Sequence, residues 1–323
     1  MESKLKLYYS YDSFYSQKTL IYFYEKQIEF DSYIVDLCAK ENLTSWYLNI
    51  NPRGEVPSAV IGNTVINGSD KILAYLELNS IGKRSLVPLN QKDKEEHELW
   101  MKKLSALPIE AITVGTAYFP HTRKFNTAPF NSSVFTRMMI KMHEARCVEL
   151  CQKSVEYIGT ATEKVLVAKA MECEGNNVKY SNEVEHRKVL IQFHKVLDEV
   201  EDQLASHFLF GPDENPPPFL IEASFTAAEC LLAIIVHRLE WLGHYNYMGE
   251  EERPLLALWW DNVKRKESFQ KSTTGPNTSI QMMVKSILKL KLNYIYSLRS
   301  KTILPVIPFA VGILIMYAYK KFS

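Results

Sequence analysis

Cysteine is scarce in this chain and forms no recognisable pattern. Cys38, Cys147, Cys151, Cys173 and Cys230 include no C-x-x-C pair and have no histidine partners at zinc-like spacing, which argues against a structural metal. An odd, sparse set in 323 residues fits a reducing compartment better than a disulfide scaffold. Excess charge of one sign is missing too. Thirty-eight Lys and Arg against 37 Asp and Glu leave a net charge of +1, so nothing draws the chain to nucleic acid. The front of the chain, Met1 to Leu7, has neither the apolar core of a secretory signal nor an Arg- and Ser-rich leader. The eight histidines show no ligand pair on one helical turn, and His237, set among apolar residues, is expected in the core. Cys147 and Cys151, one helical turn apart, are expected to pack, as are Trp241, Trp259 and Trp260. With 46% hydrophobic and 23% charged residues, wholesale disorder is excluded.

One long uncharged run is present. Residues 302–319, TILPVIPFAVGILIMYAY, carry no charge, and 18 residues make roughly 27 Å of helix against a hydrocarbon core of about 30 Å. Arg299 and Lys301 precede the run, Lys320 and Lys321 follow it, and Tyr317 and Tyr319 sit where interfacial aromatics belong. Pro305 and Pro308 weaken the first turns, and a buried final helix is the alternative to a membrane anchor. The absence of any polar face favours lipid. With four residues beyond it, such a segment inserts after synthesis and leaves the preceding chain in the cytosol. Short, moderately hydrophobic anchors with basic flanks resemble those of the mitochondrial outer membrane, and the same pattern serves some peroxisomal proteins. Upstream, Ile280, Met283, Val284, Ile287 and Leu288 recur at helical spacing beside Lys285, Lys289 and Lys291. That helix could lie on an anionic membrane surface or dock on the protein body.

The first 80 residues alternate between strand and helix signals. Lys4–Ser10 reads as a strand, Ser13–Glu25 as a helix with Ser13 as its N-cap, and Phe30–Asp36 as a second strand. Ser58–Ile61 and Thr64–Asn67 flank a Gly62-Asn63 turn, and Gly68-Ser69-Asp70 opens a further helix. This βαβα-ββα order is that of a thioredoxin-like unit.

Two stretches, N-P-R-G-E-V-P at Asn51–Pro57 and S-D-K-I-L-A-Y-L-E from Ser69, resemble the N-terminal domain of glutathione transferases. That resemblance implies a cis Pro57, with the Val56 backbone facing the cysteinyl part of glutathione. It also implies a hydroxyl between the first strand and first helix that donates to the thiolate. Ser13 stands there, with capping as its competing role, and Tyr15 and Ser16 are weaker candidates. In the family a second anchor, an acidic or amide residue followed by Ser, grips the γ-glutamyl group. Ser69 matches, but Gly68 precedes it and Asp70 is offset by one position. Losing a charge-assisted hydrogen bond of about 1.5–3 kcal/mol would weaken glutathione roughly ten- to a hundredfold.

Beyond Pro88 the chain reads as helical. Gln91–Glu98 is a charged lead into helices around Leu99–Ala117, and Phe135–Val148 and Thr160–Glu172 follow. Gly211-Pro212 and Pro216–Pro218 make a non-helical connector. Thr226 and Glu229 are spaced as a capping box before the apolar run from Cys230. Ser224–Gly243, Arg253-Pro254, Trp259–Phe269 and Asn177–Tyr180 are similar to the ganglioside-induced differentiation-associated protein 1 family. That family joins a transferase fold to a C-terminal anchor in the mitochondrial outer membrane, and it carries an extended helical arm used in contacts. About sixty residues here, roughly 125–185, stand where ordinary transferases have a short link. A helical excursion of that length seeks a partner or lies back on the body.

The sequence therefore implies an α+β fold. A thioredoxin-like domain (1–87) precedes an all-helical domain (88–270) with a long insertion at about 125–185, a basic amphipathic segment (271–301) and a transmembrane helix (302–319). By resemblance the ligand is glutathione, held by Ser13, Val56, Pro57, Ser69 and Asp70, with no metal. The partners implied are a membrane, a second copy of the chain, and cytosolic or cytoskeletal proteins at the insertion. The functions implied are regulation of mitochondrial dynamics and redox state, or conjugation of glutathione to hydrophobic electrophiles.

Overall fold

Leu5, Leu7, Tyr8 and Tyr9 are buried along β1 (Leu5–Tyr9), and the structure, a computed structural model, describes the chain over residues 5–123, 133–207, 219–221, 225–244 and 252–274. Helix α1 (Phe14–Glu25) follows, then β2 (Asp31–Ile34), α2 (Ser45–Ile50), β3 (Ser58–Ile61), β4 (Thr64–Asn67) and α3 (Ser69–Leu78). The sheet order is β2-β1-β3-β4. β1 runs parallel to β2, with Tyr9 opposite Ile34, and antiparallel to β3, with Tyr8 opposite Ser58. The β3–β4 hairpin closes at the expected Gly62-Asn63 turn. This is the thioredoxin-like sheet expected from the sequence. β2 is shorter than the Phe30–Asp36 run suggested, because only Asp31 to Ile34 find partners on β1.

Helix α1 packs against α3 and two helices of the second half, α9 (Ala227–Leu242) and α11 (Glu267–Thr273). Enclosure on several sides explains why it buries Ser16, Gln17, Lys18 and Thr19 as well as its apolar residues. Two buried lysines on it are neutralised by α3: Lys18 Nζ lies 2.5 Å from Asp70 Oδ1, and Lys26 Nζ 3.0 Å from Glu77 Oε1. Burial pushes the Glu77 carboxyl up, but Tyr22, Lys26 and the Leu86 amide bring it below its ordinary value.

The helical half is built from α4 (Gln91–Ser105), α5 (Ile109–Tyr118), α6 (Ser133–Ser154), α7 (Ala161–Tyr180), α8 (Glu183–His207), α9, α10 (Pro254–Arg265) and α11. The charged stretch 91–98 is itself the start of α4, capped by the Asn90 side chain accepting from the Asp93 amide at 2.8 Å. Its charges face solvent while His97, Trp100 and Leu104 turn inward. α9 is buried along most of its length and contacts α1, α4, α5 and α10. The capping box is present, and Gly243 in the left-handed region ends the helix. Trp259 and Trp260 are core residues, Trp241 is half-buried, and half-buried His237 packs edge-on to Phe269 at 5.5 Å. Burial holds the His237 imidazole down to about 4, so it is neutral at pH 7.

Several expectations need revision. Cys147 packs as expected, but Cys151 is exposed, because α6 turns only one stripe towards the protein. α11 spans residue 270, and residues 1–279 form one compact unit by contacts. The connector 211–218, the amphipathic run 280–291 and the charge-free run 302–319 lie outside the described residues. Among the described residues no helix is long and apolar enough to cross a membrane.

The insertion lies back on the body. α6 and α7 pair as a helical hairpin and pack on α5; α6 is longer at both ends than the sequence pattern suggested, and α7 runs eight residues further at its C-terminal end. Leu150, Leu166, Ala170 and Cys173 of the hairpin form one apolar cluster with Leu48 of α2, flanked by Leu43, Cys147 and Tyr157. The outward side of α7 leaves Val167, Met171 and Val178 exposed.

Candidate functional site

The loop from Asn51 to Pro57 is fixed by side chains that satisfy its backbone. Asn51 Nδ2 and the Tyr47 hydroxyl donate to the Glu55 carbonyl at 2.8 and 2.6 Å. Asn42 Nδ2 donates to the Gly54 carbonyl at 2.7 Å, and the Gly54 amide donates to the Asn51 carbonyl at 2.8 Å. Gly54 has φ +57°, and a Cβ there would stand 2.8 Å from the Asn42 carbonyl oxygen and 2.9 Å from Leu43 Cδ2. Glycine is required at that position both by backbone conformation and by space. The Val56–Pro57 peptide is cis, as the resemblance implied, and the Pro57 carbonyl accepts from the Gly68 amide at 3.0 Å. That bond joins the cis-proline loop to the start of α3, where Ser69 is buried in the first turn and Gly68 adopts φ +94°.

Ser13 is the N-cap of α1, its Oγ accepting from the Ser16 amide at 3.3 Å. Capping uses an acceptor lone pair, and a hydroxyl has two of these and one separate donor. The opposition between cap and thiolate donor drawn from the sequence therefore does not hold on chemical grounds. Ser16 faces inward and accepts from the Ser10 amide at 3.2 Å, so its role is to tie β1 to α1. Tyr15 is about half exposed. Partial desolvation of its phenol, with Glu110, Asp70 and Glu55 nearby, raises its pKa and keeps it protonated.

Asp70 is not a free carboxylate, since its Oδ1 receives the ammonium of Lys18, a residue only 4% exposed. Sequence reading missed that partner because a lysine on a helix is ordinarily assigned to solvent. It also missed Arg238, whose Nη2 reaches from α9 to the Asp12 carbonyl at 3.1 Å and towards Gln17 Oε1 at 3.5 Å. Burial lowers the Arg238 guanidinium to about 10, which leaves it charged at pH 7 and stacked on Trp241 at 5.0 Å. A lone arginine in the apolar run of α9 was the available signal. Ser13 after β1, Val56 and Pro57 before β3, and Ser69 after β4 thus lie at the same end of the sheet, and the Gly68–Pro57 bond joins the last two connections. No group of His, Cys, Asp and Glu among the described residues could hold a metal ion.

The parallel β1–β2 pair, the cis-proline loop and the helical half define a glutathione-transferase fold. Residues 12–78 match the family model described as glutathione S-transferase, N-terminal domain. Over most of its length the chain is similar to human ganglioside-induced differentiation-associated protein 1-like 1, with 28% identity over 289 residues, 85% of this chain and 75% of that protein. The mouse counterpart is 28% identical over 86% of this chain and 76% of its own. Among solved structures, the β-etherase LigF from Sphingobium sp. strain SYK-6 superposes with a TM-score of 0.55 at 19% identity, covering 83% of this chain and 98% of that one. Ure2p in complex with S-hexylglutathione gives a TM-score of 0.54 at 13% identity, covering 84% and 99%.

Proposed function

We propose that this chain is a membrane-anchored regulatory protein that uses a glutathione-transferase fold as a thiol-sensing module on the cytosolic face of the mitochondrial outer membrane. Its output is mitochondrial fission and distribution together with redox state, and the peroxisomal membrane is a second site. The observation that carries the reading is the charge-free stretch 302–319 with its basic flanks, joined to a body of this fold. Similarity along most of the chain to ganglioside-induced differentiation-associated protein 1-like 1 supports it. The ligand of the module is glutathione, and a neighbour of the same fold was solved with S-hexylglutathione bound. In this reading Val56 and Pro57 present the loop to the cysteinyl group, Ser69 receives the γ-glutamyl end, and Ser13 faces the sulfur. Asp70, already paired with Lys18, answers the ligand amine weakly. A second copy of the chain and cytosolic or cytoskeletal proteins at the α6–α7 hairpin are the partners, the latter on its exposed Val167, Met171 and Val178.

A second reading, an anchored working transferase, is favoured by the donor that Ser13 retains and by the ordered cis-proline loop. Calorimetric titration with glutathione separates the two. The regulatory reading expects weak binding that changes about threefold or less in Ser13→Ala, a shift worth about 0.7 kcal/mol, and no conjugation of an electrophile. Tight binding abolished by the substitution, with turnover, supports the transferase instead. Location has a separate test. A chain ending at Ser300 is expected in the soluble fraction after cell lysis, and its continued sedimentation with mitochondria would rule out 302–319 as the anchor.

A further inference from the structure

Helix α7 contains three lysines, and two of them, Lys164 and Lys179, are exposed. Lys169 is not: its side chain is 3% exposed, with Nζ 2.5 Å from the Arg53 carbonyl oxygen and 3.0 Å from Glu55 Oε1. Burying an ammonium group is unfavourable unless specific acceptors meet it, so this contact is not an incidental surface pair. Both acceptors belong to the segment just before the cis peptide. Arg53 turns its guanidinium to Glu55, at 3.0 and 3.2 Å, and to Glu172 on the next turn of α7, at 3.2 Å. Beneath these charges lies the cluster in which Leu48 of α2 meets Leu150, Leu166, Ala170 and Cys173 of the hairpin. The outer side of the Arg53–Glu55 segment is thus held by the insertion, and its inner side by Asn42, Tyr47 and Asn51.

We infer that Lys169 is a positioning residue for the thiol-binding loop, holding Arg53–Glu55 in the conformation that presents Val56 and so coupling ligand affinity to the seating of the α6–α7 hairpin. The inference rests on the glutathione site proposed above and assigns its regulation to the insertion. A protein that binds the exposed side of the hairpin would alter the thiol site through this contact, and by linkage the ligand would alter that protein's affinity. The charged groups facing Lys169 are Arg146 on α6 and Arg53 and Glu55 on the loop, and Arg53 in turn meets Glu172 on α7. Burial and Arg146 lower the ammonium to about 8, with Glu55 opposing, so it carries its charge at pH 7. Burial raises the Glu55 carboxyl, but Lys169 and Arg53 together bring it below its ordinary value.

The test uses the full chain and compares Lys169→Met with Lys164→Met, a control on the exposed side of the same helix. Amide hydrogen exchange is read at Gly54–Val56 and along α6–α7, and glutathione affinity is read by calorimetry. Lys169→Met is expected to speed exchange at Gly54–Val56 about tenfold while the hairpin amides change little, and to weaken glutathione about tenfold. Lys164→Met is expected to change neither. Glu55→Ala removes the carboxylate half of the same contact from its more exposed side and covers the case in which Lys169→Met folds poorly. Combined with Lys169→Met, it should add less than the product of the two single effects. Unchanged loop exchange, exchange that rises equally throughout the hairpin, or unaltered affinity would overturn the inference. If the unmodified chain binds no glutathione, the ligand assignment fails, while loop exchange still decides whether Lys169 positions the loop.

Discussion

Glu229→Ala is expected to destabilise the protein by about 3–5 kcal/mol, read as a lower denaturant midpoint at unchanged slope. Glu229 is fully buried at the start of α9, and its carboxylate accepts three bonds. These come from the Thr226 amide at 2.9 Å, the Thr226 hydroxyl at 2.6 Å and the Ile221 amide at 3.2 Å. Truncation strands two buried backbone donors, each costing about 1–3 kcal/mol when unsatisfied, and leaves a cavity in the most enclosed helix. Burial pushes the Glu229 carboxyl up while these donors oppose it, so a neutral amide of the same shape is the informative comparison. Glu229→Gln keeps the packing and one acceptor, and should lose roughly half as much. Thr226→Ala removes the cap to the Ala228 amide and one of the donors to Glu229, and should cost about 1–2 kcal/mol. If Glu229→Ala cost no more than Thr226→Ala, the carboxylate would not be holding the 219–221 segment.

Gly115→Ala is expected to reverse the usual sign of a helical glycine replacement. In an exposed helix the change gains about 1 kcal/mol, because glycine is the more costly residue to order. In α5, however, the added methyl group runs into the imidazole of His186 on α8, whose Nδ1, Cγ and Cε1 are its nearest neighbours. That ring cannot move cheaply. It is buried, faces Phe119 at 5.5 Å between centroids, and its Nε2 lies 3.2 Å from Thr122 Oγ1. Burial lowers His186 to about 4, so it sits in this pocket as neutral imidazole at pH 7. Overpacking of this kind costs about 1–3 kcal/mol. In a His186→Ala background the obstacle is gone and Gly115→Ala should become neutral or stabilising, giving a coupling of similar size. A rise in melting temperature for Gly115→Ala alone would show that α5 and α8 yield at this crossing.

The loop was legible through resemblance: the seven-residue motif at Asn51–Pro57 implied a cis proline, the Val56–Pro57 peptide is cis, and Asn51 and Gly54 form the turn before it. Thr226 and Glu229 were legible because a cap joins residues three apart. Lys18, Lys169 and Arg238 were not, because each is explained by a partner 52 to 226 residues away in sequence. Nothing near Lys169 in the chain distinguishes it from Lys164, which points into solvent on the same helix.

By itself the amino-acid sequence determined the order of strands and helices in the first domain, the capping box and the one uncharged stretch, since each is set by neighbours along the chain, and its resemblance to a known loop implied the cis proline. The tertiary structure decided where the insertion goes, that Asp70 is engaged by Lys18, and that Lys169 is buried against the Arg53–Glu55 segment. The physical reason is desolvation. Whether a lysine or aspartate is committed depends on which distant groups exclude water from it, and only the folded chain brings those groups together.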